Sequence, residues 1–282
     1  MISDTILKKL NGLFPKQRHP FNLQNAGEQN YVEWEFEKGA DAVRHYLGKY
    51  TTDDLFRGKT VLDMGCGAGG KSVYYLSLGA ARVVGADIVE SYQSESVAFA
   101  KSKGYGPDRF TFILGDAGHL DIPDGTFDTV ILNDFFEHAS DPERVLAEAI
   151  RMLKPGGAVY VNFPPYWHPF GAHLSDAINM PWVHVFFGDQ TLIRVYKDLV
   201  KDLPDGKMRI GFRISKDENG REYFSYINKM TVSRFLSILK KEHISPEYLD
   251  YTPLRSCFRP LTHIPGVREF FIKNVTFVIR KP

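Results

Sequence analysis

A glycine-rich loop preceded by an acidic residue is the part of this sequence whose chemistry is most readily predicted. The apolar run 61–64 contains Asp63, and Gly65, Gly67 and Gly69 follow it. Glycine has no Cβ, so such a loop can adopt positive φ angles and bring its backbone close to a ligand. A helix is predicted to begin just after the last glycine, and the unpaired N–H groups at its start suit a polar or anionic ligand. The stretch therefore predicts a nucleotide-sized ligand site.

The glycine spacing alone also fits NAD-binding proteins. Gly65, Gly67 and Gly70 satisfy their spaced-glycine pattern, and Asp87 supplies the acidic residue expected about 20 positions further on. Asp63 argues against NAD, because a carboxylate just before the loop would repel a pyrophosphate and could instead accept hydrogen bonds from an ammonium group. A ligand with a nucleoside at one end and an amino acid at the other fits both acids. An NAD-dependent oxidoreductase remains the alternative.

At these residues the chain resembles the class I S-adenosylmethionine-dependent methyltransferases, whose first motif is an acidic residue followed by Gly-x-Gly-x-Gly. Further motifs of the superfamily follow in the same order between about Thr60 and Phe163, and together they make the resemblance specific. These motifs are Gly115-Asp116-Ala117, the fourth strand Phe127 to Asn133, and the turn Leu153-Lys154-Pro155-Gly156-Gly157. The pair Glu137-His138 followed by Asp141-Pro142 resembles the small-molecule subgroup, methyltransferase type 11.

The resemblance implies that the cofactor is S-adenosylmethionine and that S-adenosylhomocysteine is the product. It places Asp87 at the two ribose hydroxyls and Asp116 at the exocyclic amine of adenine. Ligands of such sheets lie beyond the carboxyl ends of the strands, so the acids that follow different strands are expected to face one crevice. The residues predicted to bind the cofactor are Asp63, Gly65, Cys66, Gly67, Gly69, Asp87, Ile88, Asp116, Ala117 and Asn133.

The region from Lys59 to Phe163 alternates short apolar runs with helical patterns, which is typical of an α/β protein with a parallel sheet covered on both faces. The predicted strands lie near 60–64, 82–86, 110–114, 128–133, 158–163, 245–251 and 275–279, and the predicted core helices near 70–78, 91–103 and 142–153. The resemblance implies a doubly wound, seven-stranded, mostly parallel Rossmann-like sheet with an antiparallel last strand.

Two regions lie outside the predicted core, which comprises 51–163 and 229–282. Residues 1–50 are predicted to be a helical cover that packs either against the sheet edge or over the cofactor. Residues 164–228 are predicted to be an inserted substrate lid, because so long a segment leaves the ligand-binding end of the sheet. Within it we expect a helix near 190–202 and a hairpin of Arg209–Ser215 and Arg221–Ile227 around Asn219-Gly220.

Four histidines are candidates for a catalytic base. Methyl transfer from a sulfonium needs donor and acceptor in line, and a hydroxyl acceptor also needs a group that takes its proton, for which histidine is suited. His138 follows the fourth strand, whereas His168, His173 and His184 lie in the insert, and His173 is favoured because it is near Gly171. Oxygen is therefore predicted as the acceptor atom. Each histidine can equally be structural.

No metal site is predicted. A zinc site built from these histidines is only a weak alternative, because neither paired helical spacing nor cysteine ligands support it. The aromatic residues of the insert suggest an apolar or aromatic small-molecule acceptor, although the rings could instead form the core of the insert. These residues are Tyr166, Trp167, Phe170, Trp182, Phe186 and Phe187. The segment 162–166 resembles a motif of amino-group methyltransferases, but it follows the fifth strand rather than the fourth, so nucleic-acid methylation is a minor alternative.

The composition favours no charged partner, because 35 Lys and Arg residues balance 34 Asp and Glu residues. The two cysteines do not form a disulfide framework, and neither a leader nor an apolar run of membrane-spanning length is present. We therefore expect a cytoplasmic enzyme without nucleic-acid or membrane partners. The oligomeric state stays open, and a non-catalytic S-adenosylmethionine-binding scaffold is the non-enzymatic alternative.

Overall fold

The computed structural model describes residues 2–282 and contains one seven-stranded sheet and one short hairpin. The first four strands are mostly apolar runs of five to seven residues, as expected of strands in a sheet covered on both faces. The strands are β1 (Thr60–Met64), β2 (Arg82–Asp87), β3 (Phe110–Leu114), β4 (Phe127–Asn133), β5 (Leu153–Phe163), β6 (Ile214–Lys216), β7 (Glu222–Phe224), β8 (Tyr248–Pro253) and β9 (Ile272–Arg280).

Twelve α-helices within residues 2–282 surround these strands. They are α1 (Ile2–Asn11), α2 (Pro20–Asn25), α3 (Tyr31–Glu37), α4 (Gly39–Arg44), α5 (Thr52–Leu55), α6 (Gly70–Ser77), α7 (Glu90–Ser102), α8 (Pro142–Met152), α9 (Val183–Phe186), α10 (Asp189–Val200), α11 (Gly206–Arg213) and α12 (Val232–Lys241). Two 3₁₀ helices, Ser256–His263 and Val267–Phe270, precede the last strand. Over the same residues, none of the helices combines the length and the apolar character that a membrane crossing requires.

The main sheet has the strand order β3-β2-β1-β4-β5-β9-β8. Strands β1 to β5 are parallel, and β9 runs antiparallel to both β5 and β8. The predicted doubly wound sheet with an antiparallel last strand is confirmed. Because β1 is flanked by β2 on one side and by β4 on the other, the chain changes direction here and a crevice opens beyond the carboxyl ends of these strands.

Three apolar cores hold the chain together. One covers the sheet face that packs on α8 and α12, and the second covers the opposite face with α6, α7 and aromatic side chains from residues 46–56. The third core belongs to the insert, and it also includes Leu7 of α1, which is completely buried. The first helix therefore packs on the insert, whereas α3 and α4 pack on α6.

The prediction of a hairpin in the insert is wrong for most of the first strand, Arg209–Ser215. Residues 206–213 form α11, and only Ile214–Lys216 pair with Glu222–Phe224. A helix places Arg209 and Arg213, four residues apart, on one face, where both guanidinium groups reach the buried Asp176. Both arginines can reach Asp176 only with helical spacing. These ion pairs therefore favour a helix over the strand that the weak alternation of apolar and polar residues predicted.

The backbone of α3 lies directly on the start of α6. A Cβ added at Gly70 would lie 2.1 Å from the carbonyl oxygen of Val32 and 2.6 Å from the amide nitrogen of Phe36. Only a residue without a side chain allows this approach. The glycine at position 70 therefore fixes how closely the N-terminal helices can pack on the glycine-rich loop.

We expect Gly70→Ala to lower the free energy of unfolding by about 1–3 kcal/mol, because backbone atoms must move to admit the methyl group. Gly211→Ala is the matched control, since no atom lies within 4 Å of a Cβ at this helical position. Alanine should stabilise α11 by about 0.5–1 kcal/mol. Urea unfolding measures the stability of both variants. Equal unfolding midpoints for Gly70→Ala and Gly211→Ala would contradict the close packing of α3 on Gly70.

Candidate functional site

Two adjoining cavities open at the carboxyl ends of the central strands. The larger has a volume of about 440 Å³ and lies between the glycine-rich loop, α3 and the insert. The smaller has a volume of about 210 Å³ and lies beyond β2, β3 and β4. Gly65 and His138 line both cavities. The crevice expected from the sheet topology is therefore present, and it has two compartments.

The smaller cavity contains the acids that follow β2 and β3. Asp87 accepts hydrogen bonds from the backbone N–H groups of Gly67 (2.9 Å) and Val89 (3.0 Å), and burial raises its pKa. Asp116 accepts a hydrogen bond from the N–H of Gly118 and lies in the same cavity. Carboxylates fixed in this way can accept further hydrogen bonds from hydroxyl or amino groups of a ligand.

Apolar residues beside these acids complete the smaller cavity. Ile88 is 72% exposed at the cavity rim, and Ala117 and Val145 form part of the wall. The ring of Phe135 lies over Gly65, where an added Cβ would meet it at 2.0 Å. Flat apolar walls next to two carboxylates match the chemistry of an adenosine, whose base is aromatic and whose ribose carries two hydroxyls.

Asp63 and Cys66 are buried behind the loop rather than exposed in either cavity. The Asp63 carboxylate accepts a hydrogen bond from the Ser72 hydroxyl at 2.6 Å, and burial raises its pKa to about 6. Cys66 packs into the core against Gly85, and burial raises the pKa of its thiol. Gly65, Gly67 and Gly69 all have positive φ angles, between 58° and 80°, so this loop does need glycine.

Asn133 lies at the end of β4 beside the larger cavity, but protein groups already use its amide. Its Nδ2 donates to the Tyr75 hydroxyl at 2.7 Å, and its Oδ1 accepts from the Tyr46 hydroxyl and from Asn162. The buried amide therefore links β4 to β5 and to the N-terminal region. The structure positions it as part of the wall of the cavity.

A third acid at the loop, Glu35 of α3, was not predicted from the sequence. This side chain lies over the loop, and the N–H of Gly70 donates to its carboxylate at 3.2 Å. Burial raises the pKa of Glu35 to about 8, which the cation of Lys71 and the Gly70 N–H offset only in part. A signal was present, because Glu35 lies three residues after Val32 on the same face of α3 and a glutamate on such a buried face is unusual.

Other residues of the larger cavity were also not predicted as site residues. Lys71 forms an ion pair with Asp134 at 3.0 Å, and Asp134 has a φ angle of 51°, which is strained for a residue other than glycine. Aromatic walls come mainly from outside the predicted aromatic segment. They are Phe21, Tyr31, Trp34, Tyr92, Phe212 and Tyr226, together with Phe170, which was predicted.

Two of the predicted histidines meet a buried glutamate at one point of the larger cavity. The Nε2 atoms of His138 and His173 lie 3.9 and 4.0 Å from Oε1 of Glu137. Burial lowers the pKa of both imidazoles and raises that of Glu137 well above its ordinary value. His138 Nδ1 donates to the carbonyl oxygen of Tyr226 at 2.5 Å, so its Nε2 lone pair is free.

The insert holds His173 in position through buried charges. Its φ angle is 51°, and its carbonyl oxygen accepts a hydrogen bond from Nε of Arg213. The Arg213 guanidinium in turn pairs with Asp176, and the Tyr226 hydroxyl donates to the carbonyl of Ala172. These contacts fix a strained backbone next to the cavity.

The remaining two histidines differ in position. His168 lines the larger cavity, its Nδ1 accepts from the N–H of Phe170, and burial lowers its pKa to about 4. His184 does not line this cavity, because its ring packs against the rings of Tyr166 and Trp167. Of the six aromatic residues predicted to shape the acceptor site, only Phe170 reaches the cavity.

The core of the chain matches a family of known domains. Residues 62–161 fit the family model described as "Methyltransferase domain". Over 179 residues the chain is 36% identical to the sterol 24-C-methyltransferase of Eremothecium gossypii. This alignment covers 62% of this chain and 45% of that protein. It is also 32% identical to norajmaline N-methyltransferase of Rauvolfia serpentina over 103 residues, 36% of this chain and 35% of that protein.

The fold is shared with a solved S-adenosylmethionine-dependent methyltransferase from Mesorhizobium loti. The TM-score is 0.51 at 17% identity, and the alignment covers 89% of this chain and 98% of that one. This likeness concerns the fold alone. The chain spans less than half the length of the two curated relatives, so the matches concern the domain that carries the glycine-rich loop.

The raised pKa of Glu35 predicts a pH-dependent stability. Between about pH 4.5, the ordinary value, and about pH 8 the folded chain keeps a proton that the unfolded chain has lost, so stability falls as pH rises. Glu35→Gln removes this titration and keeps an acceptor for the Gly70 N–H. We expect the free energy of unfolding of the variant to exceed that of the wild type by on the order of 2–4 kcal/mol near pH 8. Near pH 4 the two values should be equal.

Urea unfolding at several pH values measures this difference. Glu33→Gln, a change at an exposed glutamate of the same helix, serves as the control and should alter stability by less than about 0.5 kcal/mol. If the free energies of unfolding of Glu35→Gln and wild type changed in parallel with pH, Glu35 would not be a buried, protonated carboxyl group.

Proposed function

Because the chain belongs to the class I S-adenosylmethionine-dependent methyltransferase superfamily, we propose that it methylates a hydroxyl group of a small, partly aromatic molecule. The observation that carries the proposal is the pair of cavities that share Gly65 and His138. One cavity suits the nucleoside of the cofactor, and the other suits an acceptor. Their contact at two shared residues would place donor and acceptor next to each other.

The residues around the loop fit S-adenosylmethionine in their chemistry. We assign the ribose to Asp87, the adenine to Asp116, Ala117 and Ile88, and the amino-acid end to the surroundings of Gly65 and Gly67. When bound, this cofactor supplies an electrophilic methyl group on a sulfonium sulfur. The residues of the chain hold the two reactants in line and exclude water, and such positioning can supply roughly 7–11 kcal/mol of rate acceleration.

The larger cavity supports a small acceptor with an aromatic or apolar body. Its volume of about 440 Å³ lies within the range of small-molecule sites, roughly 300–1,000 Å³. Rings from α3 and from residues 212 and 226 would contact a flat molecule on several sides. We propose that residues 164–228 act as the substrate lid and that the N-terminal region supplies the opposite wall.

We propose oxygen as the acceptor atom because His138 and His173 line the acceptor cavity and both face the buried Glu137. The free Nε2 of His138 can take the hydroxyl proton while its Nδ1–H stays bonded to Tyr226. His173 faces the Glu137 carboxylate as well and forms the wall at this end of the cavity. The curated relatives show that the acceptor atom varies, since one is named for methylation of carbon and the other of nitrogen.

The cofactor assignment predicts that Asp87→Asn weakens S-adenosylhomocysteine binding at least about tenfold. A hydrogen bond to a charged group contributes about 1.5–3 kcal/mol, and the amide loses the charge. Calorimetric titration measures the dissociation constant, with NAD as the parallel ligand and Asp121→Asn, an exposed acid after β3, as the control. Unchanged affinity in folded Asp87→Asn would remove Asp87 from the ribose site.

The base assignment predicts that His138→Gln lowers kcat by at least about a hundredfold. The affinity for S-adenosylhomocysteine should change by less than about threefold, because the lost interaction concerns the acceptor proton. Turnover is measured with methyl-labelled S-adenosylmethionine and a panel of phenols and alcohols, with exposed His263→Gln as the control. Full activity of His138→Gln, or a label found on nitrogen or carbon, would contradict the proposal.

A further inference from the structure

We propose that Glu137, His138 and His173 form a binding site for one divalent transition-metal ion at the acceptor end of the larger cavity. The site itself is independent of the methyl-transfer proposal, whereas its use in activating the acceptor rests on that proposal. No ligand spacing along the chain supports a metal site, because His173 is 35 positions away from His138. Only the packing of the insert on the core brings the three side chains together.

The three potential ligand atoms converge on one point. One carboxylate oxygen of Glu137 and one ring nitrogen from each histidine lie within 4.8 Å of one another. The two imidazole rings meet edge to face, with their centroids 4.9 Å apart. Metal–nitrogen distances of about 2.0–2.1 Å place tetrahedral ligand atoms about 3.3 Å apart, so small side-chain rotations would close the site on an ion.

Glu137 provides the observation that points to a ligand. Its side chain is 3% exposed, and neither carboxylate oxygen accepts a hydrogen bond from another of residues 2–282. A buried carboxylate without such partners costs several kcal/mol unless a cation or a proton compensates it. The groups that do face it are the two imidazole nitrogens at 3.9 and 4.0 Å. A cation between them would satisfy all three.

The surroundings orient the His138 ring as metal-ligating imidazoles are usually oriented. His138 donates its other ring N–H to the carbonyl of Tyr226, which leaves Nε2 as the ligand atom. On the other side, the insert holds the backbone of His173 through Arg213. The backbone of Glu137 is fixed as well, because its carbonyl accepts a hydrogen bond from the N–H of Asn228. An ion would therefore tie the core to both ends of the insert.

The donor set indicates the class of metal. Two imidazole nitrogens and one carboxylate oxygen suit zinc, iron or cobalt, whereas magnesium prefers an all-oxygen site. Three protein ligands leave at least one position open, and this position faces the acceptor cavity that His138 and His173 line. A cation there would lie next to the acceptor hydroxyl and favour loss of its proton to water. With an ion bound, Nε2 of His138 would be a ligand and the proton would leave to water, so the role of His138 as proton acceptor belongs to the metal-free chain.

Metal titration of the chelator-stripped, full-length chain tests the site directly. We expect Co²⁺ to give visible d–d absorption that saturates at one ion per chain, and Zn²⁺ to displace it, while millimolar Mg²⁺ does not. Glu137→Gln and His173→Asn should each weaken Zn²⁺ binding at least about a hundredfold, since even outer-shell changes cost 10–100-fold. Asparagine suits position 173 because it tolerates the left-handed backbone there.

His263→Gln, at an exposed histidine, is the matched control and should bind Co²⁺ and Zn²⁺ as the wild type does. Absence of the cobalt spectrum, or equal affinity in wild type and both ligand variants, would overturn the site. The same samples are titrated with S-adenosylhomocysteine. Cofactor binding without metal binding would overturn the metal site and leave the proposed function standing, whereas metal binding without cofactor binding would do the reverse.

Discussion

The close approach of α3 to Gly70 is the contact on which the site depends. It brings the carboxylate of Glu35 to the N–H of Gly70, at the start of α6, and it carries Tyr31 and Trp34 into the wall of the larger cavity. Without it, α3 would not cover the glycine-rich loop. The N-terminal helices are therefore part of the site, and the absence of a side chain at one residue decides where they lie.

This packing places three carboxyl groups around the loop. Glu35, Asp63 and Asp87 are all buried or half-buried, and burial raises the pKa of each. Backbone N–H groups, the Ser72 hydroxyl and the positive end of α6 compensate these acids in part. A ligand that carries an ammonium and a sulfonium would supply the remaining positive charge, whereas a pyrophosphate would add repulsion. The electrostatics of the loop thus agree with the superfamily's cofactor and disfavour NAD.

Local sequence was sufficient to predict the sheet and the acids at its edge. The central parallel strands are short, mostly apolar runs, and Asp87 and Asp116 lie at or just beyond the carboxyl ends of β2 and β3, so topology alone places them in one cavity. Glu35 could not be assigned in this way, because its role depends on a tertiary contact with Gly70. The helix at 206–213 was missed for a similar reason, since the buried Asp176 that favours it is distant in sequence.

The cluster at Glu137 shows why the histidines could not be ranked from the sequence. Proximity to Gly171 favoured His173, but what distinguishes the four histidines is the partner of each ring. A carbonyl fixes the tautomer of His138, a backbone N–H occupies Nδ1 of His168, and two aromatic rings enclose His184.

Backbone strain accompanies this arrangement on both sides of the cavity. Asp134, from the core, and His173, from the insert, both have φ angles of 51°, each at a cost of about 1–3 kcal/mol. The Lys71 ion pair and the Arg213 hydrogen bond hold these two residues in place. The chain therefore gives up stability where core and insert meet. What it gains is a fixed orientation of polar groups around the larger cavity, where we propose that donor and acceptor come into line.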